Sequence, residues 1–552
     1  MNIITRHLNS LLPASAGTAA PWRVIACTGW RKRWIVGAML AAAAGTAVAC
    51  PGDAGPTGKC DVKTAPSSQK AGAASVNIGA GNPINVMTGN KYQQEEDMAA
   101  LPGVLGLEIV RHYNSRYSDN GALPGLLGRG WKLSYETELV ISGQSLQVFQ
   151  ADGSSLMFSR DLVNPARAVG ADPARGSIVI RRNRQGGDEY VWRWIDGREL
   201  SFDQRGKLVQ IKAATGEILS LLYDTRGLLV KVTDPQGRSL RLVYPERRQA
   251  AGAQFRGVRA IDSPVGRFDY EHDDTAGVAQ RARVANLVRV RYPGGAEGRQ
   301  YHYEDAAHPS YLTGISIAGA ASGSRPATWR YATYAYQADG KAVLSTHAND
   351  IDKVTLRYDR PGLTTVTNSQ GGRTVYRYAT MADDYRLMEV RGAGCALCGP
   401  SNERYTYDKL GRLTGVTQLD AQGMPLQQTQ SELDRYGRVL RRSLVAYRGG
   451  RPGQAQLQAR YEYGSVTAAG PTLIARPSVV PGKEAQTRIL YGRERTSHLP
   501  LAVRQTGFVP DYEGVGATAE LRRATGYRSD AAGRLGEQDG PLANADRDAS
   551  PA

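Results

Sequence analysis

The stretch that decides the fold lies between Phe202 and Tyr244 and reads FDQRGKLVQIKAATGEILSLLYDTRGLLVKVTDPQGRSLRLVY. Aromatic residues stand at positions 202, 223 and 244, so the repeating unit is 21 residues long. Asp-x-x-Gly follows the first two of these aromatics, and Gly216 and Gly237 keep the same spacing between the units. A fixed period of this length indicates a repeat architecture.

Each unit contains two chain reversals. Asp at the first position and Gly at the fourth are preferences of the type I turn, and Pro235 at the second position strengthens one of them. Turns at 203–206, 213–216, 224–227 and 234–237 leave about six or seven residues for each strand. Residues 239–244 show the two-residue alternation of a strand with one buried face. Each repeat is therefore predicted to be one β-hairpin, which has to stack on its neighbours to bury its apolar face.

The motif recurs along the rest of the chain, with a degenerate copy at 527–534. A calcium site would need several convergent oxygen ligands for each ion, and the motif does not supply them. We therefore interpret the motif residues as structural. They are Phe202, Asp203, Gly206, Tyr223, Asp224, Gly227, Asp234, Gly237, Tyr358, Asp359, Gly362, Tyr407, Asp408, Gly411, Arg412, Asp434, Gly437 and Arg438.

Composition and charge support an all-β chain without a nucleic-acid partner. The 552 residues include 63 Gly and 27 Pro, and Tyr outnumbers Phe by 28 to 6, which suits strands better than a helical core. The net charge is +17, but Arg is scattered through every segment and forms no stripe interleaved with aromatics. Nucleic-acid binding would need a clustered basic surface, so it is not predicted.

The first 49 residues carry the pattern of an export signal. Arg31-Lys32-Arg33 precedes a short apolar run that ends in the small-x-small site Ala47-Val48-Ala49. The stretch before the basic triplet is long for such a signal, so either the true start lies further downstream or the signal is an extended one. The apolar run is too short to span a bilayer, so the sequence predicts an exported chain without a transmembrane helix. It is expected to be secreted or held at the cell envelope.

Five cysteines remain to be placed, and an exported chain permits disulfides. Cys50 follows the cleavage site directly and is a candidate for a lipid anchor or for a disulfide with Cys60. Cys395 and Cys398 are candidates for a local disulfide. Half of a zinc site or a redox pair stays open for the second pair, although no second Cys-x-x-Cys accompanies it.

The sequence predicts no enzyme and no cofactor. Neither His-Glu-x-x-His nor Gly-x-Ser-x-Gly nor a phosphate-binding glycine loop occurs. His112 and His302 lie beside Tyr in strand-like runs, so we expect packed or hydrogen-bonded rings. Glu95-Glu96-Asp97 precedes a Leu-Pro-Gly turn, and we interpret it as a solvated loop rather than a glycosidase carboxylate pair.

Tyr-Asp-x-x-Gly-Arg, as at 407–412, resembles the YD repeat of the RHS (rearrangement hotspot) proteins. The segments 81–91, 111–115 and 127–131 resemble the domain that precedes the RHS core, and Gly394-Cys395-Ala396-Leu397-Cys398 also has counterparts in relatives. The resemblance implies hairpins that coil into a partial shell. A smaller β-rich N-terminal domain precedes this shell in the sequence. In that family the shell encloses a C-terminal toxin that is exported, often for competition between bacteria.

The expected organisation is an export signal at 1–49, a linker at 50–75, an N-terminal β domain at 76–200, the repeat array at 201–545 and a tail at 546–552. Relatives continue with further repeats and a toxin, which this sequence lacks. The chain is therefore expected to be either a truncated or split gene product, or a scaffold completed by a separately encoded repeat or toxin polypeptide. The alternative is a surface module that binds polysaccharide, in the manner of an adhesin.

Overall fold

The computed structural model describes residues 68–71, 74–118, 124–182, 186–245, 255–273, 285–295, 298–322, 325–382, 384–468, 470–492, 499–509, 519–530 and 535–543. Strands dominate these residues; they contain a few short 3-10 turns and no α-helix. The predicted all-β class is confirmed. The export signal, Cys50, Cys60 and the tail lie outside the described residues.

Seven short strands precede the main sheet and form three small antiparallel sheets, which pair β1 with β2, β3 with β4, and β5 and β7 with β6. They are β1 (Ser68–Ala71), β2 (Ala74–Asn77), β3 (Gly79–Ala80), β4 (Ile84–Asn85), β5 (Tyr92–Met98), β6 (Ile109–Asn114) and β7 (Trp131–Leu133). We call residues 74–137 the N-terminal segment.

The main sheet contains thirty-two strands, each antiparallel to the next. The first half comprises β8 (Glu138–Ser142), β9 (Ser145–Phe149), β10 (Ser155–Arg160), β11 (Arg167–Val169), β12 (Ser177–Arg182), β13 (Asp188–Arg193), β14 (Glu199–Phe202), β15 (Leu208–Lys212), β16 (Ile218–Tyr223), β17 (Leu229–Thr233), β18 (Ser239–Val243), β19 (Ala260–Ser263), β20 (Gly266–His272), β21 (Leu287–Arg291), β22 (Gly298–His302), β23 (Gly314–Ser322) and β24 (Arg325–Tyr336). The second half comprises β25 (Ala342–His347), β26 (Val354–Arg360), β27 (Leu363–Asn368), β28 (Arg373–Met381), β29 (Asp384–Gly392), β30 (Glu403–Tyr407), β31 (Leu413–Leu419), β32 (Pro425–Leu433), β33 (Val439–Arg448), β34 (Arg451–Glu462), β35 (Leu473–Pro477), β36 (Glu484–Tyr491), β37 (Pro500–Val509), β38 (Ala519–Ser529) and β39 (Leu535–Ala543).

The ladder crosses the domain boundary predicted between residues 200 and 201 without a break. Leu200 pairs with Trp192 on one side and with Ile211 on the other. The sheet also curls back on its own start, because the Leu139 N–H donates to the Gly206 carbonyl at 2.9 Å. The boundary prediction is therefore wrong for the sheet, which begins at Glu138. The hairpins before Phe202 have the same pairing as the later ones but lack the Tyr-Asp signature.

The repeat motif sorts onto the two rims of the sheet. Since strand direction alternates, connections after even-numbered strands lie on one rim and those after odd-numbered strands on the other. The Tyr-Asp turns follow the even-numbered strands β14, β16, β26, β30 and β32. We call the rim on which they lie the Tyr-Asp rim. The Asp-x-x-Gly turns without Tyr, at 213–216 and 234–237, follow β15 and β17 on the opposite rim. A 21-residue period therefore corresponds to two strands and two turns.

The turn at 203–207 explains the Asp and the Gly of the motif. The Asp203 carboxylate accepts from the backbone N–H of Arg205 at 2.9 Å and of Lys207 at 2.8 Å. Gly206 has φ of 76° and donates its N–H to the Asp203 carbonyl. This is a type I turn followed by a left-handed residue that starts a β-bulge, a common hairpin connection. Asp224, Asp234, Asp408 and Asp434 form the same bonds.

The N-terminal segment packs against one face of the main sheet, which we call the core face. Two clusters of buried apolar side chains join them, one around Trp131, Phe202 and Tyr301 and the other around Val86 and Tyr405. No fully buried member of either cluster lies beyond Tyr405. The two clusters that join the N-terminal segment to the sheet therefore end on β30, and buried apolar side chains further along, such as Ala475 and Val503, belong to neither.

Candidate functional site on the core face of the sheet

The tyrosines of the repeat motif connect each hairpin to the one before it. The Tyr223 hydroxyl donates to the Leu208 carbonyl at 2.8 Å, and the Tyr244 hydroxyl donates to the Leu229 carbonyl at 2.7 Å. Tyr358 and Tyr407 do the same across later hairpins, each at 2.7 Å. Burial raises the pKa of all four tyrosines, so their hydroxyls remain donors.

The arginine that ends the motif connects neighbouring turns along the Tyr-Asp rim. Arg412 donates from Nε to the Asp408 carboxylate at 2.7 Å and from a terminal nitrogen to the Arg435 carbonyl at 3.1 Å. Arg438 repeats the arrangement with Asp434 and with the Ser465 carbonyl. One guanidinium thus holds its own turn and the next one, which a single ammonium group cannot do with the same geometry.

A buried ion pair anchors the N-terminal segment to the core face. Arg111 on β6 donates to both oxygens of Asp97 on β5, at 2.6 and 2.8 Å, and neither side chain is exposed. The hydroxyls of Tyr270 on β20 and of Tyr292, which directly follows β21, donate to the same carboxylate at 2.9 and 3.0 Å. Tyr301 accepts from Arg111 at 2.8 Å. Four donors therefore compensate the buried carboxylate, and two of them come from the region of β20 and β21.

The position of Asp97 corrects the interpretation of the acidic tract. Glu95-Glu96-Asp97 was expected to form a solvated loop, yet all three residues lie on β5. Glu96 faces solvent, whereas Asp97 on the opposite face is buried in the ion pair. The reason is the two-residue alternation of a strand that carries its alternate residues into the core.

A second buried cation lies near the start of the N-terminal segment. The Lys91 ammonium donates to the carbonyls of Asn82 and Tyr92, at 2.5 and 2.6 Å, and to the Gln93 side chain at 2.9 Å. It also lies 4.2 Å from the centre of the Tyr334 ring on β24. Burial lowers the pKa of Lys91. All three donor positions of the ammonium are used, so the lysine closes the loop 82–91 against the sheet.

The sulfur atoms of Cys395 and Cys398 are bonded to each other, in the loop between β29 and β30. Both cysteines pack against the second core cluster. The Gly394 N–H donates to the Thr374 hydroxyl at 2.8 Å and the Gly394 carbonyl accepts from the Asn368 amide at 3.0 Å. The loop is therefore fixed against β27 and β28, next to the last strand that the N-terminal segment covers.

Beyond β30 the core face continues with no buried member of either cluster among the described residues, although Ala459 and Ile474 further along the sheet are buried. Tyr405 pairs with Val416, and Val416 pairs with Thr429, so these three side chains share the core face. Tyr405 is buried, whereas Val416 and Thr429 are half-buried. The core face of β31 and β32, whose side chains are half-buried, is the candidate functional surface. The signal that could have located it in the sequence is the shift from buried aliphatic strands to Gln- and Thr-rich strands after Leu419.

His112 and His302 form structural hydrogen bonds. His112 Nδ1 lies 2.9 Å from the Tyr92 hydroxyl, and His302 Nε2 lies 2.8 Å from the Ser316 hydroxyl. Burial lowers the pKa of both rings. In the described ranges, no three His, Cys, Asp or Glu side chains are grouped to hold a metal ion. Those ranges also contain no helix of the length and apolarity needed to cross a bilayer.

Three comparisons place the chain among known proteins. A family model described as a domain of unknown function, DUF6531, matches residues 81–158, which comprise most of the N-terminal segment and the sheet up to β10. The Photorhabdus luminescens Tc holotoxin pore matches with 11% identity and a TM-score of 0.30, over 78% of this chain and 26% of that one. The complex of TcdB2 and TccC3 with Cdc42 matches with 10% identity and a TM-score of 0.29, over 78% of this chain and 27% of that one. This chain thus spans about a quarter of the length of those chains.

Proposed function

We propose that the chain is an exported, non-catalytic scaffold whose core face holds a separately encoded polypeptide, of the kind that RHS shells enclose as a toxin. The observation that carries the proposal is the partial cover of the core face. The two clusters that include the N-terminal segment end at Tyr405 on β30, and the core-face side chains of β31 and β32 are only half-buried.

The described hairpins are stabilised by interactions within this chain and do not require a partner to stay folded. Turn-to-turn arginines, interhairpin tyrosines and the ion pair of Asp97 and Arg111 lie within this chain. Cargo would therefore be held by the scaffold and would not be needed to fold it. Competition between bacteria is the role that the sequence resemblance adds to this proposal.

The test uses two neighbouring positions on opposite faces of β32. A photoreactive residue at Thr429 faces the core side and one at Gln428 faces outward, since Gln428 pairs with Thr417 and Thr429 with Val416. In the native host, we expect cross-linking of one polypeptide from position 429 and not from 428, and we expect that polypeptide alone to arrest growth. Equal products from both positions, or a captured polypeptide that is harmless, would overturn the proposal.

A second candidate function, binding of surface polysaccharide, has one observation in its favour. The outer face of β30–β33 holds a pocket of about 270 Å³ lined by polar side chains, among them Gln428, Gln430, Glu432 and Arg441. Retention on immobilised glycan that is lost in Gln428→Leu and kept in Gln427→Leu, which faces the core side, would support it. Equal retention of the two variants would exclude this pocket.

A further inference from the structure

The connection between β10 and β11 presents two large apolar side chains that touch almost nothing. Leu162 is 92% exposed and Val163 is 94% exposed. The next most exposed large apolar side chain in the described ranges is Val479, at 74%. Single exposed aliphatic residues are ordinary on protein surfaces, but an adjacent pair at this exposure is not.

This loop is held in one conformation. The Asp161 carboxylate accepts from the N–H of Val163 at 2.9 Å and of Asn164 at 3.2 Å. The Asp161 N–H donates to the Arg167 carbonyl at 2.8 Å, and the Arg167 N–H donates to the Asn164 carbonyl at 2.9 Å. Both apolar side chains are therefore displayed by a hydrogen-bonded turn and do not fold back onto the sheet.

Basic residues flank the apolar pair. Arg160 precedes the turn and Arg167 ends it, and the Arg160 guanidinium donates to the Pro165 carbonyl at 3.3 Å. Further down the same hairpin, Met157 and Val169 are 41% and 37% exposed. An apolar tip with arginines at its base matches the order of chemistry at a bilayer surface, where phosphates lie outside the acyl chains.

We propose that this loop docks the protein on an anionic phospholipid bilayer, with Leu162 and Val163 entering the acyl boundary and Arg160 and Arg167 pairing with lipid phosphates. The net charge of +17 supports attraction to such a surface. A protein partner fits less well, because a stable protein interface covers about 800 Å² on each side, far more than a two-residue tip supplies. The proposal does not depend on the scaffold function.

The test is vesicle flotation of the full chain. Vesicles contain phosphatidylcholine alone or phosphatidylcholine and phosphatidylglycerol in equal parts. The variant Leu162→Ser/Val163→Ser is compared with Val265→Ser, which removes a 52% exposed valine from a turn on the opposite rim, beside Arg267. We expect binding to the anionic vesicles to fall about ten- to one-hundredfold in the double variant, because two apolar side chains lose their transfer into lipid.

Val265→Ser should bind as the unchanged protein does, and thermal unfolding should be the same in all three proteins. Arg167→Gln should reduce the preference for anionic vesicles without abolishing insertion. Three results would overturn the proposal: no binding of the unchanged protein to anionic vesicles, equal binding of the double variant, or an equal loss in Val265→Ser. A double variant that keeps vesicle binding but loses a protein partner would assign the loop to that partner instead.

Discussion

Replacing Asp97 by Asn tests whether the buried ion pair holds the N-terminal segment on the sheet. The substitution keeps the size of the side chain and removes its charge. It leaves the Arg111 guanidinium buried without an anion, and it turns one acceptor into a donor that faces other donors. Both side chains have no exposure, so water cannot replace the lost partner.

The expected cost follows from the contacts. The carboxylate accepts two bonds from Arg111 and one each from Tyr270 and Tyr292. Removing one partner of a buried ion pair destabilises a protein by about 3–5 kcal/mol, because the remaining charge is uncompensated. We expect a loss of that size in the free energy of unfolding.

Urea unfolding followed by tryptophan fluorescence measures the loss. The Arg111 guanidinium lies 4.7 Å from the centre of the Trp131 ring, so the fluorescence of Trp131 should report the local change. Limited proteolysis should cut the N-terminal segment earlier in Asp97→Asn than in the unchanged protein. The double variant Asp97→Asn/Arg111→Met should recover part of the loss, since it removes both charges.

The matched control is Glu96→Gln, which changes the neighbouring, exposed carboxylate on the same strand. It should alter stability by no more than about 0.5 kcal/mol. If Asp97→Asn costs no more than Glu96→Gln, or if the double variant is the least stable of all, the ion pair does not anchor the segment and the reasoning is refuted.

Three further predictions concern the repeat and the covered face. Gly227→Val should lower the free energy of unfolding by about 1–3 kcal/mol through backbone strain, because Gly227 has φ of 77° and a Cβ added there would meet no atom within 4 Å. Gly227→Asn should lower it much less. Equal melting temperatures of the two variants would contradict this prediction. Arg412→Lys should lower stability by about 1 kcal/mol in thermal unfolding, because an ammonium cannot reach both Asp408 and the next turn. If the loss is no larger than in Arg441→Lys, which changes an exposed arginine, the prediction is contradicted. Burial raises the pKa of Glu403 to about 7, so the folded state binds this proton more tightly than the unfolded state and its stabilising effect is lost as the pH rises through that value. Glu403→Gln should therefore gain about 2 kcal/mol over the unchanged protein above pH 7 and little near pH 4, whereas parallel stability curves would show that Glu403 does not titrate in this range.

Local chemistry made the hairpins predictable. Asp203 and Gly206 form the predicted turn because an Asp carboxylate satisfies nearby N–H groups and Gly accepts a positive φ, and both effects act within five residues. The spacing of 21 residues likewise implied two strands and two turns for each unit, which the ladder at β14–β18 shows.

The domain boundary predicted between residues 200 and 201 also came from local sequence patterns. Sequence reasoning followed the Tyr-Asp signature, which begins at Phe202, whereas hydrogen bonding in the sheet needs only paired backbones. The strands before Phe202 use other turn residues, among them Asp196 and Gly197, and join the same ladder.

The abundance of Tyr predicted strands, but it did not predict which groups the tyrosine hydroxyls bind. The half-buried Tyr223 donates its hydroxyl to the backbone of the preceding hairpin, and the fully buried Tyr270 donates its hydroxyl to Asp97 in the N-terminal segment. The partners of Asp97 lie 173 and 195 residues away in the sequence, at Tyr270 and Tyr292. No local pattern connects residues so distant, so the acidic tract was interpreted as a loop.

The sequence by itself determined the all-β class, the hairpin unit and the placement of its turns, because these depend on backbone preferences of neighbouring residues. Only the tertiary structure decided that the N-terminal segment occupies the core face, that Asp97 is buried there, and that the clusters joining the segment to the sheet end at Tyr405 on β30. Those features depend on contacts between side chains that are distant in the sequence and come together when the sheet curves. Whether a charged group is buried depends on the same contacts.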